Sequence, residues 1–207
     1  MADIMQIACS RMRVQCHTEI MPWRQAYSKV TNGGVDGIFS LMPTEDRKKT
    51  LYFTDVIVGG AYTFFAPASD HITYHKPSDL DGRTVAVYGP SGTSTALENI
   101  IDQTTARSVM ELSNDILLDK LKKGLYGEHA IVLMNRDVAN VMLKQHAITG
   151  MRPAGDLLPV AYAFAFSRKR ANQMLVIQFD NTIKTMLKDG SIRTILHKYG
   201  LTMARNS

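Results

Sequence analysis

The sequence predicts an α/β fold in two lobes, each a mainly parallel sheet flanked by helices. Three observations carry this. Helical and strand-like hydrophobic periods alternate along almost the whole chain. Its 207 residues exceed a usual compact domain yet fall short of two independent ones. A polar, punctuated stretch over residues 67–77 separates two such α/β series.

The elements follow in order. Residues 3–12 place Ile4, Ile7, Ala8 and Met12 at helical spacing behind Asp3, a plausible N-cap. Residues 14–20 alternate like a short strand. Residues 23–30 predict a second helix that stops at Asn32-Gly33-Gly34, and residues 35–40 form a compact apolar strand. Residues 51–53 and 61–66 are further strand-like runs. Residues 83–88 predict a strong strand, followed by the loop Gly89-Pro90-Ser91-Gly92-Thr93-Ser94 and a helix from about Thr95. Helical periodicity returns over 114–123 and 137–144, with a buried strand over 129–133 between them. Residues 160–166 are again a strand, and helices over 173–188 and 191–199 are separated by Asp189-Gly190.

A hydrophobic fraction of 45% against 21% charged residues is ordinary globular composition and excludes global disorder. The net charge of +5 is dispersed, with no basic run interleaved with stacking aromatics, so nucleic-acid binding is not expected. The densest basic cluster, Arg168-Lys169-Arg170, reads as a solvated helix start. No apolar stretch approaches the 18 residues of a membrane span, and residues 1–5 lack the pattern of a signal peptide.

Several residues could carry chemistry. The loop at Gly89, Gly92 and Thr93 presents backbone N–H groups at a helix start, where an anion is favoured, although on its own it reads first as a tight strand-to-helix turn. It is neither a Walker loop nor a dinucleotide fingerprint. Arg47 lies just beyond a buried strand, among the hydroxyls of Ser40 and Thr44; its planar fork suits a carboxylate, while the alternative is a surface pair with Glu45 or Asp46. Trp23, the single tryptophan, suits a cleft wall or a partly buried core position. Cys9 and Cys16, the two cysteines, are either a disulfide or buried thiols. The six histidines form no zinc pattern and the twelve methionines read as core filler, so no metal is expected. No nucleophile elbow or triad is evident, so no catalytic residue is assigned.

These residues, taken in order, resemble family 3 of the bacterial extracellular solute-binding proteins, the type II periplasmic proteins of polar amino acid ABC importers. The resemblance rests on Met21-Pro-Trp-Arg-x-Ala26, Gly34-Val-Asp-Gly-Ile38, Thr44-Glu-Asp-Arg47, Leu51-Tyr-Phe-Thr-Asp55, Leu80-Asp-Gly-Arg-Thr-Val85, Gly92-Thr93, Asp189-Gly-Ser-Ile192 and Lys198-Tyr199. It implies lobe one from residues 1–61 and 166–207, and lobe two from 62–165. Two crossing strands near 59–64 and 160–166 would serve as hinge. It further implies a periplasmic protein, monomeric and without cofactor, that delivers a small polar solute to a membrane ABC permease.

By the same resemblance Arg47 clamps a ligand carboxylate, helped by the loop Ser40 to Met42 and by Gly92, Thr93 and Ser94, while Trp23 packs on the ligand side chain. Cys9 and Cys16 match a disulfide of the family's histidine-binding and lysine-arginine-ornithine-binding members. Three departures stand out. Met42 replaces the usual hydroxyl residue and offers only its backbone N–H. Asn135, at the second-lobe strand end, replaces the acid that commonly holds an ammonium group. The family's first strand precedes the first helix, and this chain starts at that helix, so a fragment or a late gene start is expected, with weakened binding. A ligand-sensing domain or an enzyme of the same fold, such as a dehydratase, is the alternative reading.

Overall fold

The first helix, α1 (Ala2–Met12), buries Ile4, Ala8 and Cys9 along one stripe. It ends at Arg13, whose left-handed φ of 58° brings its N–H to the Ser10 carbonyl. The stripe packs with Phe179, Ile183 and Met186 of α7 (Gln173–Lys188) and with Ile192 and Leu196 of α8 (Ser191–Lys198). Polar ties flank this core. Arg11 donates to Asp189 at 2.6 Å and to Ser191 at 2.7 Å, and Tyr199 donates to Asp3 at 2.7 Å.

This is a computed structural model, and it describes residues 1–204. The chain divides into two compact units, one of Met1–Gly59 with the chain from Ala161 onward, the other of Gly60–Val160.

In the first unit, α2 (Trp23–Thr31) leads into β1 (Gly37–Leu41), and α3 (Glu45–Thr50) into β2 (Leu51–Phe53). Both strands pair antiparallel with the end of β7 (Met151–Ser167), Ile38 opposite Ala165 and Tyr52 opposite Phe166. The expectation of a mainly parallel sheet therefore fails in this unit: β7 enters it running back against β1 and β2. A second correction concerns residues 14–20, which form no strand. Their alternation is real, but no described strand pairs with them, and Ile20 is 98% exposed. Cys16 instead lies on an irregular segment joined to α1 by a disulfide to Cys9, with Cα atoms 6.2 Å apart.

The second unit holds a sheet in the order β3 (Val58–Pro67), β6 (Ala130–Asn135), β4 (Thr84–Tyr88), β5 (Arg107–Glu111). Here the parallel expectation is met by β4 with both β5 and β6, while β3 runs antiparallel to β6. The strands of β4 and β6 are buried on both faces, as their unbroken Val, Ala, Ile and Leu runs require. Helices α4 (Gly92–Ile101), α5 (Asn114–Lys122) and α6 (Arg136–Gln145) follow β4, β5 and β6. α4 starts at Gly92 rather than Thr95 because Ser91 caps it. Near its start β7 passes the 67–77 loop so closely that a Cβ on Gly155 would lie 2.5 Å from the Tyr74 carbonyl oxygen, and its φ of 129° is itself a glycine conformation.

Candidate functional site

Arg47 sits in the first turn of α3, whose start is fixed by Thr44: the Thr44 hydroxyl accepts from the Arg47 N–H at 3.4 Å. The competing reading of Arg47 as one half of a surface ion pair does not hold. Glu45 pairs with Lys48 and Asp46 with Lys49, each at 2.7 Å, because the helix sets those residues three apart on shared faces. Arg47 forms no ion pair among the described residues. Its half-buried guanidinium donates through Nη1 to the Met42 carbonyl at 3.0 Å, and its Cζ lies 5.5 Å from the ring centre of Tyr27. A guanidinium held by a carbonyl and a ring keeps its full charge available to an anion.

Trp23 and Tyr27, one turn apart on α2, stack with centroids 6.0 Å apart and planes at 20°. Both pack against buried Val30, Leu41, Leu51 and Ala165, and both keep part of their surface in solvent. Trp23 is thus core on one side and exposed wall on the other. Ser40 occupies a β-bulge: Phe39 faces Phe164 and Leu41 faces Ala163, leaving Ser40 as the extra residue, exposed, at a left-handed φ of 61°. A non-glycine residue in that conformation stores strain of the kind found at binding loops. Met42 contributes its carbonyl to Arg47, a contact that its replacement of a hydroxyl residue did not foretell. Trp23, Ser40, Met42 and Arg47 accordingly belong to one unit, with Tyr27 added by the structure.

The remaining sequence-predicted residues lie in the second unit. Because β4 and β6 are parallel neighbours, α4 and α6 begin at the same end of the sheet, the carboxyl end at which open α/β sheets take ligands. Gly92, Thr93 and Ser94 form the first turn of α4, and Asn135 caps α6. Much of their hydrogen-bonding capacity is already committed. The Ser91 hydroxyl accepts from the Thr93 and Ser94 N–H groups, each at 3.2 Å, and the buried Ser94 hydroxyl donates back to the Ser91 carbonyl. The Asn135 side-chain oxygen accepts from the N–H groups of Asp137 and Val138, both at 3.0 Å. Asn135 therefore serves as a helix cap.

Sequence reading missed a neighbouring polar cluster. Arg136 pairs with Asp156 and donates to the Thr63 hydroxyl at 3.2 Å, while Thr63 donates to Asp156 at 2.7 Å. Burial works to raise the Asp156 carboxyl, but the hydrogen bonds from Arg136 and Thr63 carry it below the usual range. A Thr on a crossing strand and an Arg after an Asn carry no motif that would announce this. Elsewhere Glu111, only 6% exposed, accepts from Lys120 at 2.8 Å and from Tyr126 at 3.0 Å, which holds its carboxyl low and fixes it as a structural anchor. Glu19 is likewise engaged, by Lys29 at 2.6 Å. Among the described residues no cluster of three or more metal-ligating groups occurs, and no helix is long and apolar enough to cross a membrane.

The family model of bacterial extracellular solute-binding proteins, family 3, matches residues 1–202. No curated protein matches the sequence. Among solved structures, the chain is similar to an ancestral arginine-binding protein bound to arginine, at 21% identity and TM-score 0.80, covering 96% of this chain and 86% of that one. It is similar to an amino acid ABC transporter substrate-binding protein of Streptococcus pneumoniae bound to L-arginine, at 18% identity and TM-score 0.79, covering 96% and 81%. A histidine kinase sensor domain with similarity to periplasmic binding proteins gives 18% identity and TM-score 0.82, covering 98% and 86%. At these identities the likeness establishes the fold.

Proposed function

Because the chain belongs to family 3 of the bacterial extracellular solute-binding proteins, we propose that it binds a small polar solute bearing a carboxylate, an amino acid or a related compound, in the periplasm. It acts as a monomer that delivers this solute to a membrane ABC permease and performs no chemistry on it. One observation carries the reading: Arg47 is a half-buried guanidinium that is positioned by protein contacts yet has no carboxylate partner among the described residues. A surface arginine with nearby acids normally pairs with them; here both acids are taken by lysines, and the guanidinium is left for an outside anion. Trp23 gives the solute an apolar wall, and Ser40 and Met42 supply polar contacts in the same unit. Asn135 offers no negative charge to an ammonium group, which favours solutes whose amine is absent or held elsewhere.

A second reading is a ligand-sensing domain, favoured by the likeness to the kinase sensor domain. Both readings share the binding step. It is tested by thermal melting and Trp23 fluorescence against a panel of polar amino acids, polyamines and small carboxylates. A saturable rise in melting temperature with a carboxylate-bearing compound is expected, following mass action. A panel in which polyamines alone stabilise the protein overturns the role given to Arg47.

A further inference from the structure

Tyr27 is not accounted for by the binding residues described so far. Four residues after Trp23 on α2, it shares that residue's helix face. Its ring stacks on Trp23 at 6.0 Å and lies beneath the Arg47 guanidinium, with Cζ 5.5 Å from the ring centre. On its other contact Arg47 is held through Nη1 by the Met42 carbonyl. The Nε and Nη2 edge, the side-on fork that matches a carboxylate, meets no acceptor among the described residues. A long arginine side chain left to itself samples many rotamers and loses that freedom when it binds. A ring on one side and a carbonyl on the other remove much of the loss beforehand. Tyr27 also has no hydrogen bond from its hydroxyl among those described, so the ring is the working part.

We propose that Tyr27 is a positioning residue that pre-orients the Arg47 fork for the ligand carboxylate and joins it mechanically to the Trp23 wall. This rests on the solute-binding reading above. Tyr27→Leu keeps an apolar residue against Val30 and Leu41 but removes the π face, whereas Tyr27→Phe keeps the face and removes only the hydroxyl. The competing role is packing alone, since Tyr27 also borders that core cluster.

The test is a double-mutant cycle on the whole chain, with L-arginine, L-glutamine and L-glutamate as probes and the Arg47 Nε–H resonance followed by NMR. With whichever probe binds, Tyr27→Leu weakens affinity about 10-fold and Tyr27→Phe restores it to within about 2-fold, in line with a partly desolvated cation–π contact. In the Arg47→Ala background Tyr27→Leu then has no further effect. In the free protein Tyr27→Leu moves the Arg47 Nε–H resonance, because the ring no longer shields it. An equal loss with and without Arg47 overturns the proposal in favour of packing. If none of the three probes binds the wild type, the solute-binding reading fails for these compounds, and the resonance alone decides: an Nε–H signal unmoved in Tyr27→Leu overturns the role of Tyr27.

Discussion

Single residues set the strongest local constraints. The Cys9–Cys16 disulfide closes a loop too short to bury much surface of its own, and ties to α1 an irregular segment that no strand ladder supports. Loop-closure entropy for this separation gives about 2 to 3 kcal/mol. Replacing both cysteines by serine is expected to lower unfolding stability by that amount in urea titration, with reductant producing the same shift in the wild type. At Gly155 the Tyr74 carbonyl leaves no room for a methyl group and the φ of 129° is itself strained for an L-residue. Gly155→Ala is expected to cost about 1 to 3 kcal/mol, measured the same way.

At the scale of elements, helix starts and helix ties dominate. Ser91 satisfies two N–H groups of α4, so Ser91→Ala is expected to cost about 1 kcal/mol in chemical denaturation. The link between α1 and α8 is pH-dependent. Hydrogen bonds from Ser191 and Arg11 hold the Asp189 carboxyl at about 2, below its ordinary 3.8. A carboxyl lowered by folding contributes stability that is fully present above its unfolded value and is lost as pH falls through the folded one. The tie therefore weakens between about pH 4 and pH 2. An acid titration followed by circular dichroism should show a shallower loss over that window in Asp189→Asn than in the wild type.

The helices with apolar stripes, α1, α7 and α8, and the continuous apolar runs of β4 and β6 were legible because burial imposes their period. α3 was not, since Glu45 to Thr50 contains no apolar residue and only the Thr44 cap marks it. β5 escaped as a largely exposed edge, and the start of β7 was masked by Pro153, Gly155 and Pro159. Residues 14–20 alternated without a partner to pair with. Arg47 was legible as a residue but not as a free charge, because only the helix geometry of α3 pairs Glu45 with Lys48 and Asp46 with Lys49. Tyr27 carries no motif that would mark it, since only the fold of α2 and α3 brings its ring to Trp23 and Arg47.

For the whole molecule, two crossing strands, β3 and β7, carry the chain from one compact unit into the other, and each unit builds its own sheet and core. In the first unit Arg47 and Trp23 form the proposed ligand-binding face; in the second the helix starts lie at the carboxyl ends of β4 and β6. A ligand that engages Arg47 stabilises the folded chain by mass action, so its melting temperature rises with ligand concentration. The most direct test of this account is calorimetric titration of a carboxylate-bearing ligand into the wild type and into Arg47→Ala. The account predicts saturable one-site binding to the wild type and a loss of about 100-fold or more in the variant, the cost of leaving a desolvated carboxylate without its charged donors. Equal affinity in the two proteins, with the fold of the variant intact, would contradict it.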